Sequence, residues 1–568
     1  MAKTQKTLCP YCNEKKKVIK TFGRMTRLEC RHLIKTPLSF EEVEEAETKK
    51  AEDIAADTTV SIKVVDETKF HNLKTKDTPY PFQLEGIDFI IRNGYRGLIA
   101  DEQGLGKTVQ ALGIMHHALK NNPDDFFPCL LLVKSNSKIQ WMVQGLNWGG
   151  YDFIPQVIED SKSPPIHGFN VYISSYDILR RFSKSQDVVL KSAWGHEIET
   201  TETKNPFYDF PFKTIIMDEV QAIKGESKRT EEVKKIAQGK NVIALSGTPI
   251  KNNAAEYYTI LHLLNPNKFP TRKGYISRWV KTEIVKGYEK YTGLWNPERF
   301  AQYTSDMIIR RTREDVKDEI GMRVTKANRI FYHVDFESDK LKKEYEREEK
   351  AFIKEMLDNT KKKSPVEMIA RLSVMRHLVG LNKIQPTVDL AVEYLLENPS
   401  GKLVIFAHHQ DVMAAITELL KRWCIEGGYA EPLVYHSGLS SSERYEMIDK
   451  FTHKDSSPFI IGSTLAMGEA VDRLQEVCND CILAERQWNP ANEEQAESRL
   501  IRIGQKRSFV NATYPIASST IDEYFTEIVE IKRRAMKETL DGKSSYEWDE
   551  ENLLTALTEA ILNKGKKK

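Results

Sequence analysis

No apolar run in the 568-residue chain approaches the roughly 20 residues that a membrane-spanning helix needs. A helical membrane protein is therefore excluded, and no membrane partner is expected. The opening residues Met1-Ala2-Lys3-Thr4-Gln5-Lys6 lack the apolar core of a signal peptide. Seven cysteines, an odd and small number for this length, give no disulfide framework and suit a reducing compartment. A cytosolic location is the expectation. Net charge is also nearly absent, with 84 Lys and Arg against 82 Asp and Glu. A polyanionic partner must then be met by local basic patches and not by a global field. No internal repeat of solenoid period is present.

What remains is ordinary globular composition, 40% hydrophobic and 29% charged, over a length that suggests three or four domains. Residues 1–36 are basic and carry three cysteines. Residues 37–66 read as an acidic helical linker, opened by the capping-box pattern Ser39-Phe40-Glu41-Glu42. Over 67–266, apolar strand-like runs alternate with helical stretches, the pattern of a parallel sheet in an α/β domain. Residues 267–396 are richer in charge and helical period, with one convincing strand at Arg329–Val334. Sheet-like runs resume over 397–540, and residues 541–568 form a C-terminal helix and basic tail. Two α/β units with a helical insertion between them suggest an enzyme with a cleft.

The stretch Ala100-Asp101-Glu102-Gln103-Gly104-Leu105-Gly106-Lys107-Thr108 ends as a phosphate-binding loop does, but Asp101 occupies the place of the first glycine. It lies between a strand candidate and a helix start. Gly104 and Gly106 let backbone N–H groups approach phosphates, Lys107 reaches the β- and γ-phosphates, and Thr108 holds Mg²⁺. Alone, Gly-Lys-Thr is also a common turn tripeptide. A hydrophobic strand ending in Asp218-Glu219 supplies a second part: Asp218 for Mg²⁺, Glu219 to accept a proton from attacking water. A third is Gln495 to Gln505, in which a helix would place Gln495, Arg499 and Arg502 on one face. Two arginines aimed at a γ-phosphate would stabilise its developing charge; the plain alternative is a solvated basic face.

Together these stretches resemble the Swi/Snf family of superfamily 2 helicase-like ATPases, over about residues 78 to 535. Tyr80-Pro81-Phe82-Gln83 is similar to the Q-motif, which implies adenine recognition by Gln83. Asp101 then matches the family's own variant of the loop. Leu132-Val133-Lys134-Ser135 resembles motif Ia, although the family usually has Pro where Lys134 stands. Ser174-Ser175-Tyr176-Asp177 resembles motif Ib. Asp218-Glu219-Val220-Gln221 resembles the family's acidic motif with Gln221 in place of histidine, and Ser246-Gly247-Thr248-Pro249 is close to motif III. Ile309-Arg310-Arg311-Thr312-Arg313 resembles the segment joining the lobes. Trp488-Asn489-Pro490 and Arg499-x-x-Arg502-Ile503-Gly504-Gln505 match later motifs, the last closest to the HepA-related annealing-helicase branch. Met467-Gly468-Glu469-Ala470-Val471-Asp472 departs from the family's G-x-G-L-N-L, and Phe406-Ala407-His408-His409 matches motif IV only loosely.

The resemblance implies two RecA-like lobes and an ATP- and Mg²⁺-dependent translocase on double-stranded or forked DNA. Its catalytic residues would be Lys107, Asp218, Glu219, Arg499 and Arg502, with DNA contacts at Ser135, Tyr176, Ser246, Thr248 and Trp488. A strand-separating helicase of the same superfamily is one alternative; an ATP-binding DNA scaffold without turnover is another, of a different class. The compact form implies a prokaryotic cell or a virus-infected host. Protein partners are not indicated.

At the N-terminus, Cys9-Pro10-Tyr11-Cys12 followed by Cys30-Arg31-His32 offers three thiolates and an imidazole. The C-x₂-C spacing places two sulfurs on one tetrahedral Zn²⁺, and a short basic segment has too little core to fold unaided. A small zinc-ribbon-like module with a structural Zn²⁺ is expected there; a solvated basic arm is the alternative. Cys478 and Cys481 share the spacing but sit beside a buried-strand candidate and read as packing.

Overall fold

The structure, a computed structural model, describes residues 70–540 apart from 192–196, 224, 226, 250–253, 286–287, 358–364, 437 and 454–455. Beyond these it describes positions 558 and 561 and the backbone of four N-terminal strands: Lys6–Cys9, Glu14–Phe22, Met25–Leu28 and Leu33–Lys35. These four form an antiparallel sheet in sequence order. The expected acidic helix of 37–66 and the ligands Cys12, Cys30 and His32 lie outside the described residues.

Lobe 1 is built on a seven-stranded parallel sheet. Its order is Ile308–Ile309, Gly97–Ile99, Asn241–Leu245, Thr214–Asp218, Cys129–Val133, Val171–Ser175 and Pro155–Val157. The central strands are near-continuous apolar runs because helices cover both faces. Alternation within each strand divides the core in two: Leu130, Leu132, Ile215, Met217, Val242 and Ala244 face one side. Leu131, Val133, Ile216, Ile243 and Leu245 face the other.

Lobe 2 has a six-stranded parallel sheet in the order Asn328–Val334, Asn511–Ala517, Asp480–Leu483, Leu403–Ala407, Phe459–Ser463 and Leu433–Tyr435. Cys478 and Cys481 are both buried in its core. The Cys478 thiol donates to the carbonyls of Lys402 and Asp480, so packing accounts for the pair.

The domain boundaries expected from sequence need correction. The strand Asn328–Val334, which sequence assigns to the insertion, pairs along its length with Asn511–Ala517 and belongs to lobe 2. Ile308–Ile309 pairs with Leu98 and Ile99 and belongs to lobe 1. The link between sheets is thus a short run between residues 310 and 327. The region before it holds a hairpin, Val280–Val285 with Tyr288–Leu294, as well as helices. Charge-rich composition masked Ile308–Ile309 and the hairpin, which lie at a sheet edge or outside the sheets; Asn328–Val334 reads as a strand in sequence, but its partner does not.

Candidate active site

The phosphate loop leaves the carboxyl end of strand Gly97–Ile99 and enters the helix Lys107–Asn121. Its N-cap, Gly106, has φ 75°, and Gly104 has φ 85°, the left-handed region that glycine enters without penalty. A side chain at Gly106 would also place its Cβ 2.3 Å from Gln83 Nε2. The Gln83 amide is engaged at both ends: Nε2 donates to the Leu105 carbonyl (3.0 Å) and Oε1 accepts from Tyr80 N (3.0 Å). Gln83 lines the cleft and braces the loop. Thr108 stands in the first turn of the helix, and the Lys107 ammonium donates to the carbonyls of Asp101 (2.8 Å) and Glu102 (3.3 Å). Burial pushes the Lys107 pKa down, against the opposing pull of Glu219, Asp101 and Asp218.

The two acids that open the loop hold the interlobe link. Asp101 is fully buried and pairs with Arg311, while Glu102 pairs with Arg313 (3.2 Å). Arg313 also donates through Nε to the Gln103 carbonyl (3.0 Å) and through Nη2 to Ser498 Oγ (2.7 Å). One buried guanidinium therefore touches both the phosphate loop and the residue that precedes Arg499.

Strand Thr214–Asp218 ends at the two carboxylates. Asp218 Oδ2 accepts from Trp141 Nε1 (2.9 Å) and Oδ1 from the Glu219 amide (3.0 Å). Burial, then the neighbouring Glu219 charge, pushes the Asp218 carboxyl up to about 6. Burial acts on Glu219 in the same direction, but Lys134, Lys107, Gln221 and Arg499 outweigh it and lower its pKa. Glu219 has φ 50°, an uncommon conformation for a non-glycine residue and one that clusters at functional sites. Gln221 donates to Glu219 Oε2 and accepts from Ser246 Oγ (2.6 Å). Ser246 Oγ in turn accepts from Thr248 N (3.1 Å). An amide at 221 can donate and accept at once, so it links the acid to the third motif at any pH.

Arg499 and Arg502 come from lobe 2, but not on a continuous helix. The helix Pro490–Glu497 ends before them, and Arg499 N and Leu500 N make i−3 bonds to Ala496 and Glu497. The chain tightens into a turn there, so the expected shared face with Gln495 does not form; Gln495 is buried instead. Both arginines still reach the cleft. Arg499 donates to the carbonyls of Gly468 (2.7 Å) and Val471 (2.8 Å), and Arg502 pairs with Asp472 (2.7 Å). Behind them, the buried pair Arg486–Glu493 (2.8 Å) and the contact of Arg533 with Glu493 fasten the C-terminal helix Ile521–Leu540 to the helix Pro490–Glu497.

Gln83, Gly104, Gly106, Lys107, Thr108, Asp218, Glu219, Arg499 and Arg502 all line one cleft of about 550 Å³. The residues expected at DNA are not gathered this way. Ser135 is exposed, at the start of a short 3₁₀ turn. Tyr176 is buried, with its hydroxyl on the Asp218 carbonyl (2.7 Å). Ser246 and Thr248 are buried, their bonds directed inward. Trp488 packs edge-on to Phe525 and beneath Arg376 in the lobe 2 core. Tyr176, Ser246 and Thr248 support the site from within, while Trp488 is half-buried against the C-terminal helix. Sequence reasoning placed Arg313 in the segment joining the lobes but not its bonds to both, and gave Trp141 no contact with Asp218. An indole N–H reaching across from a neighbouring element leaves no mark in linear spacing.

A phosphate loop and acidic pair on one parallel-sheet lobe, faced by paired arginines from a second, define a two-lobed helicase-type nucleotide cleft. The chain belongs to the SNF2-related family: the SNF2-related domain matches residues 82–387, and the helicase conserved C-terminal domain matches 386–504. Similar proteins include the DNA annealing helicase and endonuclease ZRANB3 of Bos taurus, 27% identical over 82% of this chain and 40% of that protein. Another is the SWI/SNF-related matrix-associated actin-dependent regulator of chromatin subfamily A member 1 of Mus musculus, 25% identical over 80% of this chain and 42% of that protein. An uncharacterized ATP-dependent helicase, MG018 of Mycoplasma genitalium, is 23% identical over 85% of this chain and 44% of that protein. The chain thus spans less than half the length of these relatives. Among solved structures, the Sulfolobus solfataricus SWI2/SNF2 ATPase core in complex with dsDNA is 21% identical, with 88% of this chain and 98% of that chain covered and a TM-score of 0.38.

Proposed function

We propose that the protein hydrolyses ATP with Mg²⁺ and uses the cycle to translocate on double-stranded DNA. The observation that carries this reading is the convergence of Lys107, Asp218 and Glu219 from lobe 1 with Arg499 and Arg502 from lobe 2 on one cleft. The residues fit a nucleotide–metal group: a glycine loop at a helix N-terminus, a half-buried lysine, a threonine in the first turn and a carboxylate pair. Thr108 and Asp218 would hold the metal, which neutralises charge on the phosphates. Lys107 would cradle the terminal phosphates. Glu219 would orient the attacking water and take its proton, and the arginines would meet charge as it develops.

Opening and closing of the lobes would move the chain along a strand. Contact with DNA would be mainly to phosphate, hence sequence-tolerant and salt-sensitive, with Ser135 at the exposed edge of lobe 1. Relatives named as annealing helicases favour remodelling of forked or recombining DNA as the task. A cytoplasmic site of action, in a prokaryotic cell or virus-infected host, belongs to the same proposal. The test is the ATPase rate without DNA and with single-stranded, duplex and forked DNA. Stimulation by duplex or forked DNA is expected; equal rates in all four conditions would overturn the translocase reading.

The proposal includes a zinc module at the N-terminus. Strands Lys6–Cys9 and Met25–Leu28 run in the same direction, which puts the ends preceding Cys12 and Cys30 at one end of the sheet. Lys15, Lys16, Lys17, Lys20, Arg24 and Arg27 fall between the ligand pairs and would present several charges to DNA phosphates.

A further inference from the structure

Asp472 stands where the nucleotide cleft meets an adjoining cavity of about 460 Å³, and it lines both. It falls in the segment that departs from the family's G-x-G-L-N-L pattern, and the departure brings a negative charge to a site built for phosphates. Its Oδ1 accepts from Arg502 Nη1 at 2.7 Å and from Arg473 N at 3.0 Å. Its Oδ2 faces lobe 1, at 3.4 Å from Gln140 Nε2. The carboxylate is therefore held from both sides of the cleft.

The turn that carries it is firmly fixed. Arg473 has φ 74°, a strained value for a residue with a side chain. Its guanidinium is tied to Asp449 (2.6 Å) and Glu476 (3.3 Å), so the surrounding contacts hold the strain in place. Arg502, for its part, lies against the phosphate loop: a Cβ on Gly104 would fall 3.0 Å from Arg502 Cγ. Yet its guanidinium is engaged by Asp472 and by the Ser498 carbonyl (3.1 Å).

We propose that Asp472 is a positioning residue for Arg502: it parks the guanidinium beside the phosphate loop and must be exchanged for phosphate oxygen when nucleotide binds. Carboxylate and phosphate compete for the same planar N–H fork. The pair is partly solvated, with side-chain exposures of 16% for Arg502 and 30% for Asp472, so it is weak enough to exchange. Asp472 thereby raises the nucleotide concentration needed to recruit Arg502 and keeps the arginine from wandering when the cleft is empty. The inference rests on the cleft being an ATP site.

Equilibrium titration of the full chain with Mg–ATPγS tests it. Asp472→Asn keeps the shape and removes the charge, and it should tighten binding about fivefold. In an Arg502→Ala background the same substitution should change affinity by less than about twofold, because the residue through which Asp472 acts is gone. Asp472→Ser serves as a second neutral variant should the first unfold early. Unchanged or weaker binding by the neutral variants, with wild type binding normally, overturns the inference. Tightening of equal size in both backgrounds also overturns it, since Asp472 would then act by direct repulsion of phosphate. Failure of the wild-type chain to bind Mg–ATPγS would instead strike the ATP-site reading itself.

Discussion

Asp101 and Arg311 form a two-pronged ion pair at the base of the phosphate loop, with Nε on Oδ1 at 3.0 Å and Nη2 on Oδ2 at 2.7 Å. The Arg311 backbone amide adds a third bond to Oδ1 (3.0 Å), and Gln110 Nε2 caps Oδ2 (2.8 Å). Three of these four bonds come from Arg311, so a fully buried carboxylate serves mainly to fix the interlobe link to lobe 1. The residue that makes the loop look irregular in sequence is the one that fastens the link.

Replacing Asp101 by the glycine of an ordinary phosphate loop should therefore harm the protein. Asp101→Gly removes the principal charge partner of the mostly buried Arg311 guanidinium, leaving it the Phe82 carbonyl and Gln110, and should lower unfolding free energy by about 3 kcal/mol. Urea denaturation followed by circular dichroism checks this. A neutral or stabilising effect would show that the pair is dispensable.

Lys107→Ala should abolish hydrolysis with the fold intact, since Lys107 is the one lysine among the described residues that line the cleft. Glu219→Gln should retain ATP binding and lower turnover by about 100-fold or more. Comparing nucleotide affinity with single-turnover rates separates the two roles. A matching loss of affinity in Glu219→Gln would make it a binding residue.

Asp218 makes stability depend on pH in an unusual direction. Its pKa is raised to about 6 in the fold, so its contribution is most favourable below the ordinary aspartate value of the unfolded chain and is lost as pH rises through about 6. Without nucleotide or divalent cation, Asp218→Asn should raise the melting temperature near about pH 8, and the gain should vanish towards about pH 4. A gain that persists at low pH would mean that the carboxylate is not the source.

The N-terminal segment is tested by elemental analysis, which should find about one zinc per chain. Deleting residues 1–36 should weaken DNA affinity while sparing the ATPase core. Absence of zinc, with Cys9→Ser and Cys12→Ser altering neither stability nor DNA binding, would leave only a basic arm.

The sheet strands were legible because buried parallel strands are continuous apolar runs: Cys129–Val133 and Leu403–Ala407 stand out against their flanks. The edge strand Asn328–Val334 was legible as a strand but not as part of lobe 2, since its partner lies 183 residues away and pairing leaves no local trace. The cleft residues were found by motif, whereas their supports were not. Tyr176, Ser246 and Thr248 were expected to face DNA because short motifs report which residues matter, not the direction in which each side chain turns. The arginine motif has helical spacing, yet its backbone leaves the helix at Glu497, where bonds to i−3 replace those to i−4.

The contacts of Arg313 have a mechanical consequence. With one end on Glu102 and the other on Ser498, the link between the lobes is an axle and not a slack tether. Together with the Gln140–Asp472 contact across the cleft, it sets how far Arg499 and Arg502 stand from the loop. Extending the link by a few residues would leave each lobe folded while desynchronising them, much as a longer crankshaft spoils the timing of an engine whose cylinders are sound.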